Sequence, residues 1–244
     1  MSKREQVLSA VRKALTGDPN RASLPDNFDT LPPLGRVLPR IEPSDLVPRF
    51  EQEIRNVAVA AHRVATRGEL RDLLSQTLDR ERGVVLSRNP LLARLRLQTI
   101  LGDLDIPFWT WTPSSPESAD SPPEPSYRDR CFLAAAGITG VDFALAESGS
   151  LVVSSATEGA QLSSLAPPIH IAFYLRSQVV ETLEEVLRRY KPSAAGKPAV
   201  DGRSIVLITG TSRTADIEQI LIRGVHGPRE VHAILVEDSY FAAE

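Results

Sequence analysis

Two side chains in the second half of the chain have the types that acid–base or nucleophilic chemistry requires. Glu147 stands in Glu147-Ser148-Gly149, between the apolar pieces Phe143–Ala146 and Leu151–Ser154. A carboxylate in a tight turn between apolar strands is partly desolvated, which raises its pKa and suits it to act as base or nucleophile. His226 stands in Gly224-Val225-His226-Gly227-Pro228. Glycines on both sides let the backbone come close to a ligand or bend sharply, and imidazole titrates near neutrality. The plain alternatives are an electrostatically satisfied turn carboxylate and a histidine in a structural bend.

An anion-binding set lies close by in sequence. Ser204 to Ile208 reads as a short buried parallel strand, Thr209 to Thr214 as a hydroxyl-rich turn, and Ile217, Ile220 and Leu221 fall at helical spacing. Strand, turn and helix N-terminus form the place where open α/β sheets gather ligands. Gly210 would make the turn, Ser212 and Thr214 would donate hydrogen bonds, and Arg213 would add a charged fork. Asp216 and Glu218 complicate this, because carboxylates in the first helical turn satisfy the dipole and repel an anion. The competing reading is a helix entry capped by Ser212 or Thr214.

Upstream, Thr139-Gly140-Val141-Asp142 offers a carboxylate that either closes an Asx-type turn or pairs with Arg213. His170 follows Pro167-Pro168 at a strand start and is either a packed, hydrogen-bonded residue or a site residue. The expectation is one polar pocket at the carboxyl edge of a sheet. Its ligand-binding residues would be Thr139, Asp142, Ser148, Gly149, His170, Gly210, Ser212, Arg213, Thr214 and Asp216, with Glu147 and His226 as catalytic candidates. None of these shows a tight metal-ligand spacing, so no metal is assigned. No glycine-rich dinucleotide fingerprint and no P-loop is present, and no cofactor is assigned.

The elements that must position these residues alternate in type. Helices are expected over Ser2–Leu15, Asp45–Asn56, Arg67–Asp79, Pro90–Leu101, Asp129–Ala136 and Ser177–Tyr190. Strands are expected over Val57–Ala65, Gly83–Ser87, Pro107–Trp111, Ile169–Leu175 and Val231–Val236, with a hairpin through Ser148-Gly149. This rhythm implies an α/β class with a central, mostly parallel sheet flanked by helices. Asn20 to Pro48 carries six prolines, so residues 1–43 read as a helical, Pro-rich extension and 44–244 as the domain. The tract Thr112 to Ser126, rich in Pro, Ser and acids, reads as a surface loop.

Composition narrows the function. Lys and Arg number 28 against 31 Asp and Glu, a net charge of −3. That balance lacks the basic face a general nucleic-acid binder needs. The one cysteine, Cys131, excludes an internal disulfide and a four-thiolate cluster within the chain. No apolar run approaches the length of a membrane span, and Met1 to Leu8 lacks the apolar core of a signal peptide. The expectation is a cytoplasmic protein.

Three blocks resemble a known family. Thr209-Gly-Thr-Ser-Arg-Thr-Ala-Asp-Ile-Glu218 with Gly224-Val-His-Gly-Pro228, Gly137 to Leu151, and Pro167-Pro-Ile-His170 are similar, in order and spacing, to the lactate-utilisation protein C (LUD-domain) family. The likeness runs from near Arg128 to Val236; Ser148 and Ser150 stand where many relatives carry Thr, which keeps a hydroxyl. The resemblance implies a NagB/RpiA/CoA-transferase-like fold and a role in bacterial oxidation of L-lactate to pyruvate. It also implies two partner proteins that carry iron–sulfur clusters. In the CoA-transferase branch a Glu-x-Gly glutamate accepts the acyl group, and Glu147-Ser148-Gly149 looks similar. Three roles follow: a non-redox component binding a small carboxylate or phosphorylated ligand or its partners; a CoA-transferase-like or sugar-phosphate-isomerising enzyme using Glu147; or an assembly factor.

Overall fold

A computed structural model describes residues 3–16, 40–112, 125–190, 204–215, 221–224 and 226–242. The chain divides into two compact units, Met1–Pro39 and Arg40–Glu244. In the first, α1 (Lys3–Thr16) forms where the apolar stripe predicts it.

The second unit runs in chain order through α2 (Leu46–Asn56), β1 (Ala60–Val64), α3 (Arg67–Thr77), β2 (Val84–Leu86), α4 (Pro90–Arg94), α5 (Leu97–Asp103), β3 (Phe108–Thr110), α6 (Tyr127–Leu133) and β4 (Ala136–Thr139). It continues through β5 (Phe143–Leu145), β6 (Ser150–Ser154), α7 (Ser155–Glu158), β7 (Ile169–Leu175), β8 (Val179–Val180) and α8 (Leu183–Tyr190). It closes with β9 (Ile205–Ile208), β10 (Arg213–Ala215), β11 (Leu221–Arg223) and β12 (Glu230–Val236).

Six strands form a parallel sheet in the order β1-β12-β7-β4-β2-β3. Its inner strands β2, β4 and β7 are mostly apolar because both faces are covered, whereas edge strand β1 carries His62 and Arg63. On one face Leu70, Leu74, Leu92, Leu97, Ile100 and Leu101 of α3, α4 and α5 pack on Leu86, Ile138, Phe173 and Ile234. On the other, Phe50 and Ile54 of α2 join Ala144, Leu151 and Val153 of a second sheet, against Ala172, Tyr174, Ala233 and Leu235. The alternate residues of each central strand thus fill two different cores. The second sheet, β8-β5-β6-β9, is mixed: β5 and β6 form the expected hairpin and β9 runs antiparallel to β6. Among the described residues no helix is long and apolar enough to cross a membrane.

Several elements differ from the sequence reading. Ala136–Thr139 is a central strand rather than a helix end. Ala136 favours helix, but burial between β2 and β7 outweighs propensity. Gly137 belongs there because a Cβ would lie 1.7 Å from the Ser163 carbonyl oxygen. The helix expected over Pro90–Leu101 is two helices, broken where Arg96 adopts φ 53°. The helix expected from Ser177 starts at Leu183, because Val179–Val180 pairs with β5. Ile205–Ile208 is not a buried parallel strand: β9 is an edge strand, with Ile205 39% and Leu207 46% exposed. At the described ends of the helix expected after Thr214, Ala215 and Leu221–Ile222 are strand instead, because β10 and β11 pair antiparallel with Arg213 opposite Arg223. Residues 216–220 lie outside the described residues.

Candidate functional site

The crossovers reverse direction between β2 and β4. From β2 the chain moves outward to β3 through α4 and α5; it returns through α6 to β4, on the other side of β2, and then proceeds to β7 and β12. The carboxyl ends of β2 and β4 therefore flank a topological switch point, where such sheets open a crevice.

A buried carboxylate occupies it. Glu158, at the end of α7, is fully buried. Its Oε2 accepts from Ser87 Oγ at 2.5 Å and from the Gly140 amide at 3.2 Å, and its Oε1 accepts from Asn89 Nδ2. Ser87 and Asn89 follow β2, and Gly140 follows β4, so Glu158 ties the two strand ends together. Gly140 has no Cβ because one would sit 2.3 Å from the Asn89 amide. Asn89 also caps α4 by accepting from the Leu91 amide at 2.9 Å. Beside this cluster, Asp142 accepts from Thr157 Oγ1 and from the Tyr190 hydroxyl, each at 2.7 Å. Burial pushes the Glu158 carboxyl above its ordinary value and the Asp142 charge adds to that, while the bonds from Ser87 and Asn89 oppose it. A buried acid biased toward its neutral form, beside a second carboxylate, can hold or pass a proton.

The sequence-predicted residues fall into separate groups. Thr139 and His170 meet inside the sheet, with Oγ1 and Nε2 2.9 Å apart. His170 is fully buried, its Nδ1 has no partner among the described residues, and burial drives its pKa down to about 3, so it is a neutral imidazole. Asp142 lies at the switch point. Glu147 lies beyond the opposite end of β5 from Asp142, in the turn that follows the strand. Its Oε1 accepts from the Leu183 amide at 2.7 Å, which caps α8. Ser148 and Ser150 hydroxyls lie 2.8 Å apart, and Ser150 reaches Thr209 at 2.6 Å. A Cβ on Gly149 would meet the Ile54 nitrogen at 2.3 Å, and one on Gly210 the Val57 oxygen at 2.6 Å. Both therefore pack at the C-terminal end of α2, where the dipole disfavours an anion. Ser212 accepts from the exposed His226 amide at 3.4 Å, and its own amide donates to the Pro228 carbonyl at 3.0 Å. Arg213 and Thr214 lie in β10, and Asp216 lies outside the described residues.

Sequence reasoning passed over Ser87, Asn89 and Glu158. Asn89-Pro90 after an apolar strand is a visible helix start. Glu158 carries no spacing signal, since its partners come from residues far away in the chain.

The chain matches the LUD domain family model over residues 47–236. It is 27% identical to "Lactate utilization protein C" of Deinococcus radiodurans, over 89% of this chain and 91% of the relative. To the protein of the same name from Bacillus subtilis it is 30% identical over 69% of each. A crystal structure of a DUF162 family protein from Deinococcus radiodurans superimposes with a TM-score of 0.55, covering 81% of this chain and 99% of that one. At 23% identity, that likeness shows the fold alone. With the family model spanning most of the second unit, the chain belongs to the LUD domain family.

Proposed function

We propose that this protein is a non-redox component of bacterial L-lactate utilisation, acting beside iron–sulfur partner proteins and binding a small anionic ligand. Family membership carries the reading, together with relatives named for lactate utilisation. Cys131 is buried and is the chain's one cysteine, so electron transfer through a thiolate-held cluster falls to partners. Of the motif residues, Asp142 is the one we assign to the working site, with Glu158 behind it. In a lactate-using bacterium, deleting the gene should abolish growth on L-lactate and spare growth on glucose. Unchanged growth on lactate would remove this reading.

The alternative is a CoA-transferase-like or sugar-phosphate-isomerising enzyme with Glu147 as nucleophile or base. It has weaker support, because the Glu147 carboxylate is engaged by the first amide of α8. Glu147→Gln should leave lactate growth intact on the first reading and abolish it on the second.

A further inference from the structure

A cavity of about 360 Å³ opens beside the switch point, at the carboxyl ends of β2 and β3. We propose that it binds a small organic carboxylate, with Arg88 and Arg96 as the countercharges. The choice of a carboxylate over other anions rests on the lactate role proposed above; the site itself rests on geometry.

Among the described residues that line it are two arginines and no carboxylate. The Glu158 carboxyl stands behind this wall, where it accepts from Ser87 and Asn89, so an anion entering the cavity meets the two arginines with that group screened by its own hydrogen bonds. Arg88 is pre-positioned: its guanidinium donates to the Ala156 carbonyl at 2.7 Å and lies 4.8 Å from the Trp111 ring centroid. Arg96 holds a left-handed backbone, φ 53°, which costs a non-glycine residue about 1 kcal/mol. That conformation sets the break between α4 and α5 on the cavity wall. Gln98 donates to Thr110 Oγ1 at 3.0 Å, which leaves the Thr110 hydroxyl proton available for an acceptor in the cavity. Leu92 and Leu97 supply an apolar wall for a short carbon chain. The volume equals the share of on the order of ten waters at ~30 Å³ each, so a short-chain acid fits with solvent beside it.

Titration calorimetry on the full chain, with sodium L-lactate, sodium pyruvate and inorganic phosphate as probes, tests this. At least one of the two carboxylates should bind the wild type and weaken as salt is raised. In the Arg88→Ala/Arg96→Asn double variant its affinity should fall at least tenfold. Asparagine tolerates the left-handed backbone, and thermal unfolding checks that the variant is folded. Equal affinity in wild type and variant overturns the proposal, as does binding of phosphate with neither carboxylate, or binding of none of the three. If the double variant does not fold, Arg88→Ala alone decides: unchanged affinity overturns the site. The two readings separate cleanly. Lactate growth that depends on the gene but is fully restored by the double variant sinks the site and spares the role. Carboxylate binding lost in the variant, with lactate growth independent of the gene, spares the site and sinks the role.

Discussion

Glu147 precedes β6 and Glu158 follows it, so one strand separates two carboxylates with opposite fates. Glu147 is half-buried and spends its carboxylate on the first turn of α8. Around it, Ser148, Gly149, Ser150 and Thr209 fasten the hairpin to β9 and to the end of α2. Glu158 is fully buried, accepts from two side chains that follow β2 and from the Gly140 amide that follows β4, and sits where the crossovers reverse. The difference teaches that a motif rich in hydroxyls and glycine can be a joint between layers. The group with room for chemistry is placed by topology instead.

Gly149 is the most sensitive point of the hairpin joint. Its φ is +65° and a Cβ would strike the backbone of α2 at 2.3 Å, so Gly149→Ala should destabilise by about 4 kcal/mol or more in urea unfolding. A loss under about 1 kcal/mol would mean that the hairpin does not press on α2. Next comes Glu158→Ala, which leaves Ser87 and Asn89 buried without their acceptor; about 3 kcal/mol should be lost.

A pH series sharpens the contrast between buried groups. The folded His170 pKa is depressed to about 3 from 6.5, so its contribution is full above 6.5 and is lost as pH falls toward the folded value. At ~1.4 kcal/mol per unit, about 2 kcal/mol should go between pH 6.5 and 5, and His170→Gln should remove that slope. Glu158 has the opposite sign. Its pKa is raised, so its contribution is full below the unfolded value and fades as pH rises through the folded one. Wild type should therefore lose stability relative to Glu158→Gln as pH climbs above the ordinary carboxylate range. A constant difference would show that Glu158 is ionised throughout. The smallest effect belongs to Glu147→Ala, about 1 kcal/mol, the usual worth of a helix cap.

Much of the sheet was legible. The apolar runs at Val84–Leu86, Ile169–Leu175 and Val231–Val236 became central strands, because a doubly covered strand must be apolar throughout. The helix expected from Arg67 forms there, and Thr66 caps it by accepting from the Glu69 amide. Ala136–Thr139 was not legible, since alanine and glycine carry no strand signal until two neighbours pair with them. The segment after Thr214 misled in the other direction. Ile220 and Leu221 fit a helical period, yet Leu221–Arg223 is held in a ladder by β10.

The sequence by itself determined the class, the alternation of helix and strand, and the family, because these follow from local periodicity and from unbroken motifs. The tertiary structure alone decided which polar residues meet. Ser87, Asn89, Gly140 and Glu158 come from three separate segments, and only the reversal of crossovers between β2 and β4 brings them to one buried point. Local sequence cannot encode that meeting, because each partner reads as an ordinary cap, turn or helix end until the sheet order is known.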